Sequence, residues 1–207
     1  MDKPFFRILN LIADWIIRII VLNVFVIVLT LPIVTFYAGY KAAYSLFVDY
    51  TEDKTTPLFR GFWENLKKNF WNNIGVGSIF LVLIVLGFLG AYNYNNMIAE
   101  NPDDIFYLVG FVITLGVSLL LIMAMLNSIT VSYINEDISV KDLFKISLVL
   151  TGKYLLRSIV VILVSIAAAL LLLEPMLMPI FVFAGLTVPI IVNVLLMRKP
   201  RRFLRGE

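Results

Sequence analysis

The chain has 207 residues, 61% of them hydrophobic, and carries 17 Lys/Arg against 14 Asp/Glu. A mean hydropathy of +0.95 and this apolar share exceed what one water-soluble core can hide, since soluble domains are about 45–50% apolar. Cys and His are absent, which removes disulfides, thiolate nucleophiles, imidazole bases and nearly all transition-metal sites.

In chain order, the first segment is amphipathic. "KPFFRILNLIADWIIR" sets Lys3, Arg7, Asn10, Asp14 and Arg18 at helical spacing as one polar stripe, with Phe, Ile, Leu and Trp on the other faces. It reads as an anchor at the membrane surface, with Asp14 and Arg18 paired across one turn. The apolar run after it ends without an Ala-x-Ala-like site, so a cleaved signal peptide is not expected. Apolar runs of about the length needed to cross hydrocarbon follow near 19–36, 74–92, 105–131, 156–173 and 176–197. Continuous rather than alternating runs predict helices, not a β-barrel. The expected fold is all-α: a polytopic helical membrane protein of about five transmembrane helices, multi-pass in the cell membrane with the lipid bilayer as its environment.

The cations set the orientation. Residues 69–140 and 158–197 contain no Lys or Arg. Cytoplasmic loops carry the Lys/Arg excess, so the 37–73 loop, the 135–157 loop and the tail 198–207 are expected inside. The acidic 93–104 connection and the Glu174 turn are then outside. Five spans put the N-terminus outside, against the charge of Lys3 and Arg7. The alternative is a first run, weakened by Asn23, Thr30, Pro32 and Thr35, that re-enters and leaves on one side.

Two charged stretches repeat. Glu52-Asp53 and Glu136-Asp137 each follow an apolar run and a Tyr, and each precedes a helix start, Thr56-Pro57 or Ser139 with Asp142. Leu58-Phe59-Arg60 and Leu143-Phe144-Lys145 come next, then Lys68 and Lys153. This predicts a single transmembrane domain over 1–207 with a weak parallel internal repeat, units about 19–92 and 105–173, a final span 176–197, and a basic cytosolic tail. Parallel repeats build known transport folds. Each unit carries a cytosolic amphipathic helix, 57–70 or 142–154. In the first, Phe59, Phe62, Trp63, Leu66 and Phe70 share one face, suited to the headgroup region or to a partner's groove.

"RILNLIADWI" followed by "LNVFVIVLTLPIVTFYAGYKAAY" resembles the YesL-like family of bacterial membrane proteins, a domain family of unknown function. The resemblance rests on Leu22-Asn23, the run Leu31-Pro32-Ile33-Val34-Thr35, Gly39 with Ala42-Ala43, and Phe59-Arg60 through Lys67-Lys68-Asn69. It covers residues 4–75. It implies an integral membrane protein of Gram-positive-type bacteria, an association with carbohydrate uptake of the ABC type, and ABC transporter subunits as partners. No catalytic residues come with it.

No acid or base stands mid-span, where a proton-coupled transporter places one. Asn23, Asn127 and Asn193 are the polar candidates within the spans, either for interhelical hydrogen bonds or for a polar cavity. Small residues at spacing four, Gly87/Ala91 and Ser165/Ala169, suit close helix contacts. Pro179 and Pro189 around Gly185 predict a kinked last span. No phosphate loop, nucleophile elbow or metal cluster occurs, so neither an enzyme nor a cofactor is expected. The basic tail beside a span reads as a lipid anchor rather than a nucleic-acid site. The leading expectation is a non-enzymatic accessory to a carbohydrate importer. The rival is a self-sufficient small-solute transporter or channel, its cavity lined by Asn23, Asn127 and Asn193.

Overall fold

A computed structural model describes residues 4–52 and 54–206. Lys3 and Asp53 lie outside the described residues, as does the side chain of Arg7. Among the described residues the structure is helical and without strands. The helices are α1 (Pro4–Thr30), α2 (Phe36–Thr51), α3 (Leu58–Lys67), α4 (Phe70–Glu100), α5 (Ile105–Ile134), α6 (Val140–Lys153), α7 (Leu155–Leu170), α8 (Met178–Ile180), α9 (Thr187–Leu196) and α10 (Arg198–Arg205). A π-turn, Phe181–Gly185, joins α8 to α9. Three helices are long and apolar enough to cross a membrane: Ile8–Thr30, Phe70–Glu100 and Ile105–Ile134. The number rises to five if the bent pairs α6 with α7 and α8 with α9 each count as one span.

The chain divides into two compact units. One holds residues 1–70 and 159–199, the other 71–158 and 200–207.

The first unit is built around α2. Thirteen of its sixteen residues are buried, so it meets its neighbours rather than lipid. Here the structure departs from the expectation of a 37–73 loop. Hydropathy reports exposure to lipid, and a helix wrapped by other helices need not be apolar; "YAGYKAAYSLFVDY" holds tyrosines and Lys41, which is 6% exposed. The anchor and first span also merge. α1 is one 27-residue helix, about 40 Å long, because nothing between Arg18 and Ile19 breaks it. Asp14 and Arg18 pair at 2.5 Å, and the Arg18 guanidinium lies 4.1 Å from the Tyr50 ring centroid. The pairing and the stacking let a charged turn stay in the helix.

α1 stops at Thr30, not 36, because Leu31 precedes Pro32 and is pushed out of helical backbone. A short 3-10 turn, Ile33–Thr35, reverses the chain. α2 then runs back antiparallel to α1: Leu29 lies against Gly39, while Trp15 meets Phe47 and Tyr50, each at 6.4 Å between ring centroids. The out-and-back hairpin returns the chain toward the end from which α1 set out.

In the second unit α4 and α5 also form an antiparallel hairpin. Small residues mark its seam: Gly87 against Ser118, Gly90 against Thr114, Gly110 against Tyr94. A side chain at Gly87 would collide with the Ser118 hydroxyl. Gly110, Thr114 and Ser118 recur every four residues, the small-residue spacing that lets helices approach. The expected Ser165/Ala169 pair is different, because Ala169 is exposed and Ala168 is buried. α6 packs on the buried C-terminal half of α5, and Phe80 of α4 stacks on Phe144 at 5.2 Å.

The two helix starts differ. Ser139 caps α6: its Oγ accepts from the Asp142 N–H at 3.2 Å and donates to Asp142 Oδ2 at 2.7 Å. At α3 the cap residue is Pro57, with no side-chain cap bond, and the Thr56 hydroxyl instead donates to Asp49 Oδ2 at 3.3 Å. Ser139→Ala should therefore cost about 1 kcal/mol, read as a lower melting temperature in detergent, whereas Thr56→Ala should leave the start of α3 unchanged.

Candidate functional site

Asn23 is fully buried and hydrogen-bonds on both sides of a break in the last span. Pro189 lacks an N–H and its ring clashes with the carbonyl four residues back, at Gly185. The last span answers with the π-turn and a 43° bend between Met178–Gly185 and Thr187–Leu196. Gly185 has no room for a side chain because the Phe181 ring covers it. The backbone groups loosened there face α1. Asn23 Nδ2 donates to the carbonyls of Phe181 (2.9 Å) and Val182 (2.7 Å). Its Oδ1 accepts from the N–H groups of Leu186 (2.8 Å) and Thr187 (3.0 Å). One side-chain amide thus serves four backbone groups across the break, in the manner of an inserted peptide.

Asn127, 1% exposed, does comparable work in the other unit. Its Nδ2 donates to Thr151 Oγ1 at 2.8 Å and Ser158 Oγ at 2.9 Å. Those hydroxyls pass their protons to backbone, Thr151 to the Ser147 carbonyl and Ser158 to the Tyr154 carbonyl. This ties α5 to α6 and to the first turn of α7. Asn193 is buried on α9, which packs on α2. Asn23 and Asn193 belong to one unit and Asn127 to the other.

The aromatic face of α3 is split. Phe62 and Leu66 are 0% and 4% exposed and pack inward beside Gly61. Phe25 of α1 completes the packing, with ring centroids 5.0 Å from Phe62, 5.6 Å from Phe59 and 6.2 Å from Trp63. Phe70 is half-buried at the start of α4. Phe59 and Trp63 keep 62% and 47% of their surface exposed, beside an Arg60–Glu64 ion pair at 2.7 Å. α3 ends where Lys68 turns extended, φ −66° and ψ 113°, and Asn69 after it takes a left-handed backbone, φ 54°, which Asn tolerates better than most residues.

Lys41, expected in a loop, is likewise buried on α2. No group of three or more Asp/Glu side chains placed to hold a metal occurs among the described residues.

Long apolar helices, small-residue seams and buried asparagines serving backbone define an all-α membrane protein. Residues 19–93 match the family model described as a protein of unknown function, DUF624. That stretch takes in the C-terminal part of α1, all of α2 and α3, and most of α4. No curated protein and no solved structure matches the chain.

Proposed function

We propose that the chain is a non-enzymatic accessory of a carbohydrate importer of the ABC type in the bacterial cytoplasmic membrane, and that its DUF624-matching region is of the YesL-like kind. The importer rests on the resemblance in the sequence. The docking role rests on α3, whose Phe62 face is fixed to the bundle while Phe59 and Trp63 stay exposed beside a charged pair. A rigid helix offering aromatic anchors needs little ordering on binding. Asn23 and Asn127 point the same way, because their amides are spent on the protein's own groups rather than on a solute.

We also infer that the two halves are related by the weak parallel repeat. Counting from the shared Leu-Phe-cation motif, Phe62 and Ser147 are both buried, as are Leu66 and Thr151. Arg60 and Lys145 are both exposed, as are Lys68 and Lys153. Each helix packs on the one before it, α3 on α2 and α6 on α5.

The experiment is affinity capture of the tagged chain from detergent-solubilised membranes of sugar-grown cells. Importer subunits should co-elute with the wild type, and the Phe59→Ser/Trp63→Ser variant should lose at least about 90% of them, as expected when two central anchors of an interface go. Wild-type capture without any importer subunit would end this reading.

A further inference from the structure

We propose that the groove between α6 and the tail helix α10 seats one anionic phospholipid. The groove has a volume of about 160 Å³. Its floor and walls are apolar, formed by Ile146, Val149, Leu150, Phe203 and Leu204, with Lys145 and Lys153 along its edge. The Lys153 ammonium lies 3.3 Å from the Phe203 ring centroid and pins the tail over α6. Arg202 and Arg205 follow in the last turn of α10, and Arg157 stacks on Tyr154 at 4.9 Å. Asp142, the acid on α6, is held by Ser139 at the start of that helix.

Charge and shape together select the occupant. Lysines at the edge suit a phosphate, but a free anion gains nothing from five apolar side chains. An acyl chain does gain from them, and a zwitterionic lipid gains little from the cations. A basic pocket adjoining apolar helices is the setting in which an anionic headgroup and its chain are both satisfied. α6 has that setting, because it packs on α5, whose apolar length spans Ile105–Ile134. The lipid phosphate rests between Lys145 and Lys153, and the upper chain lies along Val149 and Leu204.

The test is native mass spectrometry of the full chain in mild detergent with equal amounts of phosphatidylglycerol and phosphatidylcholine. One phosphatidylglycerol should remain per chain in preference to phosphatidylcholine. Lys145→Gln/Lys153→Gln should weaken retention about thirtyfold, and Lys145→Gln alone, which spares the Lys153–Phe203 contact, about fivefold. Val149→Trp, which fills the groove and keeps every charge, should also remove the lipid. Equal retention of the two lipids, or full retention in Lys145→Gln or Val149→Trp, overturns the site. Displacement of the lipid by excess inorganic phosphate overturns the choice of occupant.

Discussion

Asn23→Leu should destabilise the protein by about 5 kcal/mol, the largest loss expected from any single polar substitution. Interhelical hydrogen bonds in membranes average about 0.6 kcal/mol and reach about 1.7, which brackets four of them between about 2 and 7. The upper half of that range applies because Asn23 serves main-chain groups. A severed side chain can find another partner, but carbonyls and N–H groups at a π-turn cannot, and each such group left bare in hydrocarbon costs several kcal/mol. Leucine fills the volume, so a cavity contributes little. Asn23→Asp separates the two halves of the clamp: the carboxylate still accepts from Leu186 and Thr187 but gives the Phe181 and Val182 carbonyls no donor. Denaturant titration in detergent measures the total. Hydrogen exchange measures the cause: the Leu186 and Thr187 amides should lose protection in Asn23→Leu and retain much of it in Asn23→Asp. Unchanged protection in Asn23→Leu would mean that the clamp contributes nothing to the break.

Gly61→Val should be the second most damaging change. A Cβ there would stand 2.5 Å from Thr56 Cγ2 and 2.9 Å from Leu46 Cδ2, inside contact distance on both sides. Leu46 is fully buried in α2, so it has no space to yield. α3 must lift, exposing Phe62 and breaking the Phe25 cluster. Overpacking of this kind costs about 1–3 kcal/mol, and valine's slightly better helix propensity than glycine's offsets only about 0.3 kcal/mol of it. Limited proteolysis between Glu52 and Asn69 should accelerate, while α4 and α5, in the other unit, remain protected. Importer capture should fall with it, although Phe59 and Trp63 are untouched. Full capture by a Gly61→Val chain with a loosened α3 would separate docking from the rigidity of this helix.

How far the sequence foretold these features depends on where their causes lie. The Ser139–Asp142 cap was readable because its two partners are three residues apart and the signal is chemical. The Pro189 kink was readable for the same reason. The Gly87 seam was readable by spacing, and the same rule applied to α5 finds Gly110, Thr114 and Ser118. α2 was hidden because burial by protein removes the pressure for apolar composition, so its hydropathy resembles a loop. Lys41 was misplaced with it. Thr56 looked like a cap because a hydroxyl next to Pro is the usual pattern, yet the cap position falls one residue later, on Pro57, and the Thr56 hydroxyl donates to Asp49 instead. The partners of Asn23 were out of reach of any local rule. That residue reads as one more polar group in a weak span until the last helix is set beside it. The aromatic face of α3 was visible as a stripe, but only the tertiary contacts with Phe25 and α2 divide it into an inner and an outer half.

The Asn23 clamp also imposes an order of events on biogenesis. Its acceptor and donor partners are 158–164 residues downstream. At synthesis rates of about 5–20 residues per second, α1 waits about 10–30 s in the bilayer before the last helix exists. Through that interval an unfulfilled amide sits in hydrocarbon, on a helix whose natural companion, α2, cannot fulfil it. The chain's opening segment is therefore a ward of the insertion machinery until its closing segment emerges, and a protein truncated before Phe181 should be recognised by membrane quality control even though its first hairpin is complete.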